Sequence, residues 1–170
     1  MGGASRSRRP PTRAKQPSRA KQPARAPLLV ISVPSQTTFL GLIRDVTQRL
    51  AAAAGFESAT AGKLALAVDE AATNVIEHAY RGASDRVLEL RYHDRPREFR
   101  VEVVDDGASV DPRRVPRVDL ERFVSERRTG GLGVHLMERI MDSVTFRRSA
   151  RKNVCTLVKR KPPGAAEPPA

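Results

Sequence analysis

The sequence has a single cysteine, Cys155, so no intrachain disulfide can form. It has no apolar run approaching the ~20 residues that a membrane-spanning helix needs, so no membrane association is expected. The start carries arginine but no apolar stretch, which excludes a secretory signal. A reducing, cytoplasmic setting is the resulting expectation. Acid is absent from residues 1–27, which hold eight Arg or Lys. That segment accounts for eight of the +12 formal charge, so the rest of the chain is only mildly basic. It also lacks aromatic residues, so base stacking has no support there.

Residues 1–27 contain "TRAKQPSRAKQPARAP", in which RAKQP occurs twice. Pro, Ala and Arg with almost nothing apolar cannot offset the entropy of ordering, so a disordered tail is expected. Such a tail suits a solubilising role, a stretch upstream of the native start, or an electrostatic arm for nucleic acid or an acidic partner. The C-terminal residues 161–170, "KPPGAAEPPA", read as a second loose tail.

Between the tails, residues 28–160 carry regular patterns. "LLVISVP" reads as a short strand ended by Pro34. Phe39, Leu42, Ile43, Val46, Leu50, Ala53 and Ala54 form a helical stripe that stops near Gly55. Thr60 is the expected N-cap of a second helix running to about Tyr80, with Gly82 as its stop. "RVLELRYH" and "EFRVEVVDD" alternate as the arms of a hairpin. Residues 107–130 lack strong periodicity, with one short helix expected around Leu120 to Val124. "GLGVHLMERIMD" is a third main helix, and "SVTFRRS" and "NVCTLVKR" are two closing strands, with Cys155 in the core. Hairpins dominate and no βαβ alternation is present, which excludes a Rossmann unit. The expected fold class is α+β: a two-layer α/β sandwich with a mixed, mostly antiparallel sheet and three main helices on one face.

Three polar clusters stand out. In "LALAVDEAATNVIEHAY", Glu70, Asn74 and His78 recur every four residues beside a mostly apolar face. Residues i and i+4 are neighbours, ~5–6 Å apart at Cβ, so Glu70 and Asn74 project together. Such a pair can hold Mg²⁺ that leans on substrate phosphates, and a carboxylate can polarise an attacking hydroxyl. It can equally serve an internal hydrogen-bond network or a solvated helix edge. In "VVDDGASVDP", Asp105, Asp106 and Gly107 end a strand, as a turn or as a carboxylate at a pocket mouth. In "TGGLGVHL", glycines precede a helix whose N-terminus can receive phosphate. The pattern is neither a Walker A loop nor the dinucleotide fingerprint.

Taken together and in this order, "DEAATNVIEHAY", "VVDDG", "GGLGVHLMERIMDSV" and "NVCTLVKR" resemble the ATP-binding domain of gyrase, histidine kinases and mismatch-repair ATPases, the Bergerat fold. Within that group the chain most resembles the stand-alone anti-sigma-factor serine/threonine kinases of bacteria. The resemblance covers residues 28–160 and implies ATP and Mg²⁺ as ligands. It implies that Glu70 is the general base and that Asn74 binds the metal. It implies that Asp105, with Gly107, receives the adenine amino group. Ser109 stands where the family has a further glycine. Gly130, Gly131 and Gly133 would approach the phosphates, residues 108–129 would form the lid, and Thr156 would lie near adenine. His78 receives no chemistry and closes the helix. The implied partners are a small serine-bearing antagonist protein and a sigma factor, in a partner-switching circuit, with a homodimer as a further expectation. Nucleic acid is expected only through the basic tail. No phospho-accepting histidine helix is present, which argues against a complete sensor kinase. The alternatives are an ATP-binding switch without kinase activity, or a regulator of a phospho-switch that involves no sigma factor.

Overall fold

A computed structural model of the protein describes residues 26–108 and 132–164. The N-terminal tail except its last two residues, most of the expected lid, the short helix near Leu120, Gly130 and Gly131, and the last six residues lie outside that range. The described elements are β1 (Leu29–Pro34), a 3-10 turn (Thr37–Phe39), α1 (Leu40–Ala53), α2 (Ser58–Asn74) continued by a π-helical turn (Val75–Ala79), β2 (Val87–Asp94), β3 (Glu98–Asp105), α3 (Leu132–Ile140), β4 (Ser143–Ser149) and β5 (Lys152–Arg160). The strands form one sheet in the order β1-β2-β3-β5-β4. Every pairing is antiparallel, so the parallel component allowed for in a mixed sheet is absent among the described residues.

Period-two alternation gives the sheet two different faces. Leu88, Leu90 and Tyr92 of β2, Phe99, Val101 and Val103 of β3, and Cys155 and Leu157 of β5 are all buried and share one side by register. They form a single core with α1, α2 and α3. Burying side chains of this size contributes about 1.5–3 kcal/mol each, and these helices stay on the sheet for that reason. The opposite face is polar. Arg91 Nη2 lies 2.6 Å from Glu89, Arg100 Nη2 lies 2.7 Å from Glu98, and His93 Nε2 lies 3.7 Å from Glu102.

α2 is alanine-rich where it is buried: Ala61, Ala65, Ala67, Ala71 and Ala72 accompany Leu64 and Val68. Small side chains let α1, α3 and the sheet all approach this central helix. The helix begins at Ser58, ahead of Thr60, and Glu57 stands at its N-cap without a side-chain bond. It does not run to Tyr80 as a regular α-helix, because its last turn widens into the π-helical segment. Arg81 (φ 53°) and Gly82 (φ 76°) then reverse the chain, as expected for a glycine stop.

The buried stripe of α1 is Ile43, Thr47 and Ala51, while Leu42 is exposed. Thr47 earns its place by pairing with Tyr92. Its hydroxyl donates to Ile43 O (2.7 Å), so the Tyr92 hydroxyl is the donor in their 2.9 Å contact. Burial pushes the Tyr92 hydroxyl up to about 12. Thr47→Val leaves that phenol buried without a partner and should lower unfolding free energy by about 1–3 kcal/mol. Tyr92→Phe should cost less, because Thr47 keeps Ile43 O. Urea unfolding of the two variants checks the order.

Candidate active site

Glu70 and Asn74 lie one turn apart near the end of α2, both half-buried. The first turn of α3 comes down onto them. A Cβ placed on Gly133 would lie 2.5 Å from Glu70 Oε2 and 3.6 Å from Asn74 Nδ2. Any side chain at Gly133 would therefore push the carboxylate aside, which accounts for a glycine inside a helix that otherwise disfavours it. A helix start such as that of α3 offers backbone N–H groups and the positive end of a helix dipole. A carboxylate, an amide and an anion-attracting helix end thus share one spot.

Burial raises the Glu70 pKa above its ordinary 4.5, and the nearby Asp69 and Glu77 carboxylates raise it further. Burial raises Asp69 as well, opposed by the Arg44 guanidinium, whose Nε lies 3.7 Å from Asp69 Oδ1. A carboxylate with a raised pKa accepts a proton more readily. In the nucleotide-free protein Glu70 should therefore titrate above 4.5, losing its charge as pH falls through that higher value. Asp69→Asn removes one of the repelling charges and should shift the titration down. Carboxyl ¹³C NMR, with the resonance assigned through Glu70→Gln, checks both.

Asn74 Nδ2 is buried without a hydrogen-bond partner. Among the described residues, the amide nitrogen has no partner in an internal network. An amide oxygen beside a carboxylate suits Mg²⁺, a cation that keeps several waters and relies on substrate phosphates for further ligands. Among the described residues no group of three or more His, Cys, Asp or Glu is placed to hold a metal by itself.

Asp105 forms the second part. It ends β3 on the helix side of the sheet and is 7% exposed. Its Oδ1 accepts Gly107 N–H (2.8 Å) and Asn153 Nδ2 (2.8 Å). Asn153 Nδ2 also donates to Gly107 O at 3.1 Å. Both contacts to the carboxylate use one oxygen, which leaves the acceptor capacity of Oδ2 for a donor. Gly107 packs so closely on the π-helical turn that follows α2 that a Cβ there would lie 2.6 Å from Ala79 O. Close approach, rather than turn geometry alone, requires glycine here. Asp106 turns outward, its carboxylate 4.0 Å from Arg86 in an exposed pair.

One sequence expectation does not join this group. Thr156 pairs with Glu102 and Thr145 on the opposite face of the sheet, one alternation out of phase with Asp105. Asn153 lies opposite Asp105 in register and faces it directly. The sequence reading missed Asn153. Its signal was a polar residue opening an apolar strand, visible only once register is known. His78 is exposed on the π-helical turn. Cys155 sits next to Asn153 on the same side, and burial, with the Asp105 charge, pushes its thiol up to about 12.

The profile of the histidine kinase-like ATPase domain matches residues 33–159. The chain belongs to that family. Two relatives of this ATPase domain are named serine-protein kinases. A serine-protein kinase RsbW of Listeria innocua is 30% identical over 120 residues, covering 68% of this chain and 76% of that protein. A serine-protein kinase RsbW of Bacillus subtilis is 32% identical over 124 residues, covering 70% and 77%. Two solved structures share the fold. The structure of the SiaB–SiaC complex from Pseudomonas aeruginosa matches at TM-score 0.55 and 14% identity, covering 78% of this chain and 89% of that one. The RsbU and RsbW domains of a Mycobacterium tuberculosis protein match at TM-score 0.53 and 17% identity, where this ATPase domain spans 31% of the longer chain. No helix among the described residues is long and apolar enough to cross a membrane.

Proposed function

We propose that this chain is an ATP-dependent serine/threonine protein kinase of the anti-sigma-factor type, and that it phosphorylates a small antagonist protein. The observation that carries this reading is the contact between the first turn of α3 and the Glu70–Asn74 pair. It sets a carboxylate of raised basicity beside the end of a helix suited to phosphate. A module that only bound nucleotide would need no general base there.

In this reading Asp105 accepts the adenine amino group through Oδ2, with Asn153 and Gly107 fixing its other oxygen. The backbone at Gly133 takes the phosphate end, with Gly130 and Gly131 preceding it. Asn74 would hold Mg²⁺, which neutralises charge on the phosphates. Glu70 takes the proton from the substrate serine hydroxyl. The serine Oγ–phosphorus bond forms as the bond from the γ-phosphorus to the bridging oxygen breaks, and ADP leaves. Positioning and charge stabilisation supply most of the catalysis in such a transfer. The unphosphorylated antagonist would draw the kinase away from a sigma factor, and phosphorylation would release it.

The test is transfer of labelled γ-phosphate from Mg·ATP to a small serine-bearing antagonist, with the modified residue located by mass spectrometry. Stoichiometric labelling of one serine is expected. ATP binding with no transfer to any antagonist tested would favour a switch without kinase activity. Absence of ATP binding would overturn the reading.

A further inference from the structure

The π-helical turn at the end of α2 does more than close a helix. π turns cost helix regularity and concentrate at functional sites. Here the turn directs two consecutive residues at the loop behind Asp105. Ala79 O accepts Ala108 N–H at 2.9 Å. The Tyr80 hydroxyl donates to Val87 O at 2.7 Å and accepts Asp106 N–H at 3.3 Å. The ring of Tyr80 lies against Gly107, with Cδ1 2.9 Å from where a Cβ would stand. Tyr80 is 6% exposed, and burial keeps its hydroxyl protonated, hence a donor, with a pKa raised to about 12.

The peptide N–H bound by Tyr80 joins Asp105 to Asp106, so the tether falls on the backbone that carries the base-reading carboxylate. One side chain therefore links that carboxylate, the start of β2 and the helix that carries Glu70 and Asn74.

We propose that Tyr80 is a positioning residue for nucleotide selection: its hydroxyl sets the Asp105 carboxylate at the height where it reads the purine 6-amino group. This rests on the ATP reading above. Tyr80 touches no substrate atom and acts through Asp105. The contribution belongs to discrimination among nucleotides, because the peptide it holds is the one next to the Asp105 carboxylate.

The experiment compares ATP with inosine triphosphate, which lacks the 6-amino group, by calorimetric titration of the full chain. The wild type should prefer ATP. Tyr80→Phe keeps the ring and removes both hydroxyl contacts. It should weaken ATP binding about tenfold and leave inosine triphosphate within about twofold, so that the preference collapses. Gly107→Ala, which forces the loop off Ala79 and Tyr80, should collapse the same ratio. Equal weakening of both nucleotides, or an unchanged ratio in both variants with thermal unfolding still cooperative, overturns the proposal. A purely structural tyrosine would lower the unfolding temperature without moving the ratio. Failure of the wild type to bind ATP overturns the nucleotide reading itself, and this inference with it.

Discussion

Glu70→Gln is expected to slow phosphoryl transfer by about two to four orders of magnitude, the usual contribution of a positioned general base. The substitution suits the site because the amide matches the carboxylate in volume. The close contact with Gly133 is therefore preserved, and α3 need not move. Only the charge and the proton affinity change. The same carboxylate sits near Asp69 and Glu77, so removing its charge relieves repulsion and does not create an unpaired ion. The variant should fold at least as well as the parent. Its ATP affinity should be unchanged or tighter, since one negative charge near a triphosphate is gone. Single-turnover transfer alongside equilibrium ATP binding separates these effects. A variant that retains transfer within about tenfold of the parent would remove Glu70 from the catalytic role.

Asp105→Ala is the second large effect, and it falls on binding. The carboxylate is buried, and its Oδ1 already serves two donors. Its loss removes the acceptor proposed for adenine, strands the Gly107 N–H and leaves the Asn153 amide only its bond to Gly107 O. Hydrogen bonds to charged groups contribute about 1.5–3 kcal/mol each, so ATP affinity should fall by about two orders of magnitude. Asn153→Ala should lose less, since Gly107 N–H still holds the carboxylate. Calorimetric titration with ATP ranks the two. Parent-like affinity in a folded Asp105→Ala protein would mean that the base is read elsewhere.

The sequence was most legible where function depends on spacing along one element. Glu70 and Asn74 lie an i, i+4 step apart, and that step survives folding. Asp105 and Gly107 are fixed by the end of an alternating strand. Gly133 stands at a helix start. The less legible features depend on how elements meet. In "NVCTLVKR" residues on both faces are apolar or small, so alternation did not say which face the polar members take. A one-residue change in phase exchanges Asn153 for Thr156. Leu42 looked like core because it is apolar, yet Thr47 lies inside because Tyr92 supplies its partner from β2. The π-helical turn has no local signature. It follows from the need to bring Ala79 and Tyr80 against the residues after β3.

The strand order has a consequence for how the protein is made. β3 sits in the middle of the sheet, and its far neighbour is β5, the last of the described strands. Asn153 lies 48 residues beyond the aspartate it braces. A nascent chain that has emerged through β3 and α3 already contains Glu70, Asn74, Asp105 and Gly133. It still lacks the strand that pairs with β3. The hairpin β2–β3 must wait with one edge unpaired while the ribosome completes the remaining residues, and such an edge is open to wrong pairing. A nucleotide site that uses Asp105, as proposed, is therefore complete only once β5 has been made and slots between β3 and β4.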